Sequence, residues 1–348
     1  MHLAEVLRLR AIPAAGVCLE VTRRCPLKCA HCFTNSSMAS PEPPADRLLR
    51  FAGTLARRPP SIVLMSGGEP LLRPRLVAEI AGLAKAAGAR SYVLSGAYFA
   101  TRPRIPAAIR TAIKAVDHFA VSMDPFHEPE VPRTAVLALL DELLSEGTAV
   151  SVQTVDGQAE ELTALLRDRY GDRVPVLVTP LIAAGRAADR RHRAAPPTDS
   201  SVTPCALAAW PVVTASGAVT ACCNEQVVAG APAPHLRLGH IDTDDWPEIR
   251  RRTLARPMLR ALRTFGPGYL AARWAVDPES GHCATCRRLP AENSKAAAEL
   301  DAPFGTIAQS VVAASVRQGG AAAFARRYGV PEYAELVVGG EPAHGPDQ

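Results

Sequence analysis

Three thiols stand close together near the start of the chain. Cys25, Cys29 and Cys32 follow at C-x3-C-x2-C spacing, directly after the apolar run from Gly16 to Val21. Thiolates are the usual protein ligands of iron–sulfur clusters, and a [4Fe–4S] cluster has four irons to ligate. Three cysteines leave one iron without a protein ligand, so a second molecule can bind there. Pro26 keeps the segment from entering a helix at once, so it starts as a loop able to wrap a cluster. The same residues admit a zinc knuckle, since zinc wants four ligands and His31 would be the fourth, or three buried thiols.

A second stretch has the same build. Ile62 to Met65 reads as a buried-type strand and runs into Ser66, Gly67, Gly68, Glu69 and Pro70. Taken in order, each at the end of a strand, the two stretches resemble the radical S-adenosylmethionine (SAM) superfamily. In that family the backbone and Glu of a Gly-Gly-Glu-Pro motif contact the methionine amino group of SAM. The resemblance therefore implies Gly67, Gly68, Glu69 and Pro70 as SAM contacts. It also implies one-electron cleavage of SAM to a 5′-deoxyadenosyl radical that takes a hydrogen atom from an unactivated C–H bond.

The elements that must hold these loops alternate. Strands are expected at 17–22, 61–65, 91–95, 117–122, 149–154 and 174–179, with helices near 44–57, 74–87, 104–115, 132–146 and 157–169. Such alternation builds parallel β/α units with right-handed crossovers. The expected fold class is therefore α/β: the partial (β/α)6 TIM-type barrel that the resemblance implies, with a small C-terminal β-hairpin plus helix auxiliary-cluster domain. Active sites of parallel barrels lie at the C-terminal strand ends, where both motifs fall.

Other strand ends follow that logic. Relatives place polar residues against SAM or substrate after strands three and four, which points to Ser95, Ser122 and Asp124; the last two residue types also suit caps and turns. His127 is either a proton carrier near neutral pH or a surface-loop residue. The resemblance implies Gln153, ending strand five, as a further SAM contact. Ile182 flanks the adenine in the Gly185-Arg186-Ala187 neighbourhood, which is similar to a Gly-Arg-Ala segment of relatives.

Residues 186–203 read as an exposed basic linker, with Arg186, Arg190, Arg191 and Arg193 before Pro196 and Pro197. Cys205 then opens a second module. Cys205, Gly217 and Cys222 fit C-x11-G-x4-C, a hairpin spans Val212 to Ala221, and Cys283 and Cys286 follow at C-x2-C spacing. This resembles the twitch auxiliary-cluster domain of radical SAM enzymes, related to the longer SPASM domain. It implies that Cys205, Cys222, Cys283 and Cys286 ligate a second [4Fe–4S] cluster; a structural zinc site uses the same four thiolates. Cys223 is left over. A thiol S–H is weak enough to give a hydrogen atom to a carbon radical, and radical SAM epimerases use a Cys in that role. Cys223 is otherwise a small buried hydrophobe, or it rather than Cys222 binds iron.

The expected domains are a barrel over 1–185, the linker 186–203, the auxiliary module 204–290, Ala-rich C-terminal helices over 291–338 broken at Gly319-Gly320, and a disordered tail at 339–348. Residues 1–15 read as a short lead-in, and 246–264 as an Arg-rich helix kinked or split at Pro257.

Composition narrows the class. Nine cysteines, eight of them in clusters and Cys18 alone, with C-x2-C pairs and no secretion signal, point to metal ligation in a reducing compartment, the cytoplasm. No apolar run approaches the ~18 to 20 residues of a membrane span, and a net charge of +5 does not argue for nucleic acid. There is no P-loop and no internal repeat. The expected partners are a small-molecule or peptide substrate and a one-electron reductant such as flavodoxin or ferredoxin. Three fates of the substrate radical stay open: hydrogen return from Cys223, which epimerises a stereocentre; electron loss to the auxiliary cluster, which oxidises an alcohol; or crosslinking of a ribosomal peptide. A zinc-stabilised binding protein is the non-catalytic alternative.

Overall fold

Strand β1 (Gly16–Thr22) is buried along its whole length. A strand of a parallel sheet covered on both faces reads as a continuous apolar run rather than an alternating one, and Gly16 to Val21 is such a run except for Glu20, whose buried carboxylate accepts from Arg23 Nη2 at 3.0 Å and Ala215 N–H at 2.7 Å. The computed structural model, which describes residues 1–188, 203–279 and 281–339, places β1 in a sheet with β2 (Ile62–Gly67), β3 (Arg90–Ser95), β4 (His118–Ser122), β5 (Val150–Val155) and β6 (Val176–Thr179). Each is parallel to its neighbour, in register pairs such as Cys18 with Leu64 and Leu64 with Tyr92.

Alternate strand residues feed two cores. Val17, Leu19, Val63, Met65, Val93 and Phe119 pack on the helices α2 (Ala45–Gly53), α3 (Pro74–Ala86), α4 (Ala107–Ala115), α5 (Arg133–Ser145) and α6 (Ala159–Tyr170), which lie between the strands in sequence. Cys18, Ile62, Tyr92 and Ala120 face the other way, into the partial barrel. That inner face meets a helix near the amino end, α1 (Leu3–Leu9), whose Leu3, Ala4, Val6 and Leu7 are buried. The expected lead-in is thus a structural element, capped by His2, which accepts from Ala4 N–H while Glu5 accepts from the His2 N–H.

The hairpin is joined to the barrel sheet rather than set apart from it. Strand β7 (Val212–Val213) lies parallel beside β1, and β8 (Ala218–Thr220) and β9 (Arg237–His240) continue antiparallel, giving the order β6-β5-β4-β3-β2-β1-β7-β8-β9 in one open sheet. Val212 pairs with Cys18 on one side and Thr220 on the other. The chain leaving β8 therefore runs toward the N-terminal ends of the parallel strands. Cys222 and Cys223 lie at that end, and the Cys25 loop at the other; Cys18 alone stands four residues, roughly 13 Å, short of Thr22.

Short helices complete the chain: α7 (Glu225–Ala229), α8 (Trp246–Ala255), α9 (Pro257–Phe265), α10 (Pro267–Arg273), α11 (His282–Arg288), α12 (Asn293–Asp301), α13 (Pro303–Gln318) and α14 (Gly320–Tyr328). The Arg-rich segment is split at Arg256, which is extended as residues before proline tend to be. Its arginines are not simply a wet face: Arg252 donates to Leu238 O at 2.7 Å, and Arg263 to Ala208 O at 3.1 Å and Thr253 O at 2.9 Å. The break between α13 and α14 falls at Gly319, and α14 packs with α1 on the inner face. Arg190, Arg191, Arg193 and nearly all of the tail lie outside the described residues. No described helix is long and apolar enough to cross a membrane.

Candidate active site

The Cys25–Cys32 loop is clamped from two sides. From β2, Gly68 N–H donates to Thr22 O at 2.7 Å and Glu69 N–H to Arg24 O at 2.8 Å. After β6, Arg186 donates through its backbone N–H to Cys32 O at 3.0 Å, through Nε to Cys29 O at 2.8 Å, and through Nη1 to Ser36 O at 2.7 Å. Arg186, expected as the start of a solvated linker, is therefore a strut of the Cys loop. Glycines permit the close approach: a Cβ on Gly68 would stand 2.4 Å from Arg24 O, and one on Gly185 2.3 Å from Cys32 O.

The three thiols are half-buried, and all nine cysteines are free. Burial pushes Cys25 up to about 11 and Cys29 up to about 12. Burial acts on Cys32 in the same direction but is outweighed by the Thr34 hydroxyl, the Ser36 N–H and the Arg186 charge, so Cys32 is held below its ordinary value. His31 is engaged elsewhere, its Nε2 3.5 Å from Asp124 Oδ2. Among the described residues no three His, Cys, Asp or Glu side chains converge on one ion.

Glu69 is fully buried, and its carboxylate is saturated from within. It accepts Leu71 N–H at 2.9 Å, Ser95 O–H at 2.9 Å and Gly96 N–H at 2.8 Å. Ser95 in turn accepts Ala97 N–H at 2.9 Å. These two expected SAM contacts thus bind each other. Burial raises the Glu69 carboxyl to about 7 against those donors.

The end of β4 continues the ring. Asp124 is buried and accepts Phe126 N–H at 2.9 Å and His127 N–H at 3.0 Å. His127 is not a surface residue: it is buried, with Nε2 2.7 Å from Gly96 O and Nδ1 without a hydrogen-bond partner. Ser122 is half-buried at the same strand end. Gln153 points into the barrel and donates to Tyr92 Oη at 2.9 Å. Ile182 is exposed on the loop after β6.

The second set of thiols gathers at the opposite end of the sheet. Cys205 and Cys222 are buried, Cys283 and Cys286 lie one turn apart on α11, and Cys286 feels the charges of Cys205, Cys222 and Cys283, while that of Cys223 bears on Cys205, Cys222 and Cys283. Cys286 Sγ is 3.8 Å from His235 Nε2. Cys222 packs in the helix-side core; its neighbour Cys223 packs with the inner-face cluster, where Arg10 Nη2 donates to its sulfur at 3.3 Å. Adjacent residues in extended chain point to opposite sides. Neither Arg10 nor His235 carries a motif that sequence reasoning could have found.

The likeness to a known family falls on the barrel half of the chain. Residues 19–156 match the model of the Radical SAM superfamily. A pre-heme d1 synthase of Dinoroseobacter shibae is 35% identical over 117 residues, which span 33% of this chain and 28% of that protein. Among solved structures, Streptococcus suis SuiB bound to precursor peptide SuiA superposes with a TM-score of 0.54 at 11% identity, over 75% of this chain and 70% of that one. SuiB bound to S-adenosylmethionine gives 0.50 at 11% identity, over 67% and 64%. At that identity the likeness is one of fold.

The family implies a [4Fe–4S] cluster and SAM, and the residues fit them. Three thiols share one loop, the donor type such a cluster takes, and the glycine cradle brings the backbone after β2 against that loop.

Proposed function

We propose that this chain is a radical SAM epimerase in which Cys223 returns a hydrogen atom to the substrate. Cys25, Cys29 and Cys32 would hold the SAM-binding cluster, and Cys205, Cys222, Cys283 and Cys286 a second [4Fe–4S] cluster. When bound, cluster and SAM supply the one-electron chemistry that removes a hydrogen atom from a substrate carbon.

The observation that carries the reading is the divergence of two adjacent thiols. Cys222 turns to the helix-side core with the auxiliary set, and Cys223 turns to the inner face of the barrel. The Cys25 loop stands at one end of that face and Cys223 at the other. A carbon held between them loses hydrogen toward the first and regains it from the second, on its opposite side, which inverts the stereocentre. The Cys223 S–H bond breaks as the new C–H bond forms. The sulfur radical left behind takes one electron from a flavodoxin- or ferredoxin-type reductant and one proton from water. Dehydrogenation and peptide crosslinking need no such thiol.

The substrate class is a small sugar- or cyclitol-like molecule, or a peptide. The test is turnover in D2O with SAM and reductant on candidates of both kinds. One solvent deuteron at an inverted carbon supports the reading, with C223A still cleaving SAM but forming no product. Full product from C223A sinks it in favour of dehydrogenation.

A further inference from the structure

Tyr92, His118, Ser151 and Gln153 share the inner face of the barrel. Tyr92 of β3 pairs in register with His118 of β4, and Ser151 and Gln153, two apart on β5, point the same way. Tyr92, His118 and Ser151 are buried, and the Tyr92 and His118 rings stack with centres 5.0 Å apart. Buried polar groups need partners, and these find one another. His118 Nδ1 is 2.8 Å from Met1 O, and its Nε2 is 2.7 Å from Ser151 Oγ. The Ser151 and Gln153 side chains both hydrogen-bond the Tyr92 phenol, Gln153 through Nε2 at 2.9 Å.

The direction of each bond follows from the Met1 end. Met1 O is a carbonyl and only accepts, so His118 Nδ1 carries the hydrogen. Burial pushes His118 down to about 4, so the ring is neutral at neutral pH and Nε2 is a bare acceptor. Ser151 spends its one hydrogen on Nε2. Toward Tyr92 it can then only accept, so the phenol gives its hydrogen to Ser151 and offers Gln153 a lone pair. The Gln153 amide must turn its NH2 to Tyr92 and its Oε1 the other way. Gln153 is half-buried at the C-terminal end of β5, and among the described residues no group donates to Oε1.

We infer that His118, Ser151 and Tyr92 are positioning residues that lock the Gln153 amide with its carbonyl oxygen toward the ligand, so that the site takes a hydroxyl or ammonium donor there and rejects an acceptor. An amide free to turn would offer either group. The inference rests on the reading of Gln153 as a SAM contact and is independent of the role of Cys223.

The test is equilibrium dialysis of SAM against the anaerobic holoenzyme without reductant, with iron counted on the same samples. The proteins are wild type, S151A, Q153E, S151A/Q153E and Q153L. Without Ser151 the phenol hydrogen can turn to Oε1, and the amide then presents NH2 to the ligand. S151A should bind SAM about threefold to tenfold more weakly at unchanged iron, the worth of one neutral hydrogen bond. A carboxylate accepts on both sides, so S151A/Q153E should bind as Q153E does. Equal loss from S151A in both backgrounds marks a merely structural effect and overturns the inference. Wild-type affinity in S151A beside weakened Q153L also overturns it, while leaving Gln153 a SAM contact. Wild-type affinity in Q153L removes that contact, and the inference falls with it. If S151A fails to fold, Y92F takes its place: loss with Gln153 but none with Q153E supports the inference, and equal loss or none overturns it.

Discussion

The Ser95 hydroxyl donates to Glu69 Oε1 at 2.9 Å, tying the end of β3 to the turn after β2. Both groups are buried, so this polar link is a structural joint between the two strand ends. Burial raises the Glu69 carboxyl from 4.5 to about 7. A carboxyl whose folded value is raised binds its proton more tightly when folded. Its contribution is full below pH 4.5 and is lost as pH rises through about 7. The metal-free wild type should therefore lose roughly 3 kcal/mol of stability from this group across that window, and E69Q should lack that loss. Urea unfolding from pH 4.5 to 8 reads it; equal pH slopes in the two proteins would refute the burial of an ionisable carboxyl.

Gly185 has φ +55° and no room for a Cβ beside Cys32 O. G185A should force the loop after β6 off the Cys loop at a cost of about 1–3 kcal/mol. The expected result is a lower melting temperature together with selective loss of the SAM-binding cluster, about half of the iron. Full iron with unchanged melting would contradict the clamp.

Arg186 replaces water at two carbonyls of the cluster loop, Cys29 O and Ser36 O. Hydrogen bonds from a charged donor are worth about 1.5–3 kcal/mol each. R186M should leave the fold of the sheet intact and release iron from the Cys25 loop faster under a chelator. Iron release at the wild-type rate would return Arg186 to the solvated role its sequence context suggests.

The auxiliary set predicts a separable loss. C205A/C222A/C283A/C286A should lose about four irons and keep SAM cleavage. Abolished cleavage with the first cluster intact would mean that the two sites are not independent.

Much of this was legible in the residue order. Strand alternation and the two motifs placed the sheet and the site because parallel strands bring consecutive loops to one edge. Three features were not legible. The α1 cap uses His2 where the usual signal is Ser, Thr, Asp or Asn, so residues 1–15 carried no start signal. The β1–β7 pairing joins residues nearly two hundred positions apart, and two-residue strands show no period. Arg186 and Arg10 act on a carbonyl and a sulfur, partners that no local pattern announces; basic residues between alanines read the same whether they face water or clamp a loop.

The central claim is that Cys25, Cys29 and Cys32 hold a cluster that cleaves SAM. The most direct measurement is iron content and 5′-deoxyadenosine formation, with SAM and dithionite, in anaerobically purified wild type and C25A/C29A/C32A. Wild type should be brown, hold about eight irons and form 5′-deoxyadenosine; the triple variant should hold about four and form none. A colourless wild type, or 5′-deoxyadenosine from the triple variant, would contradict it.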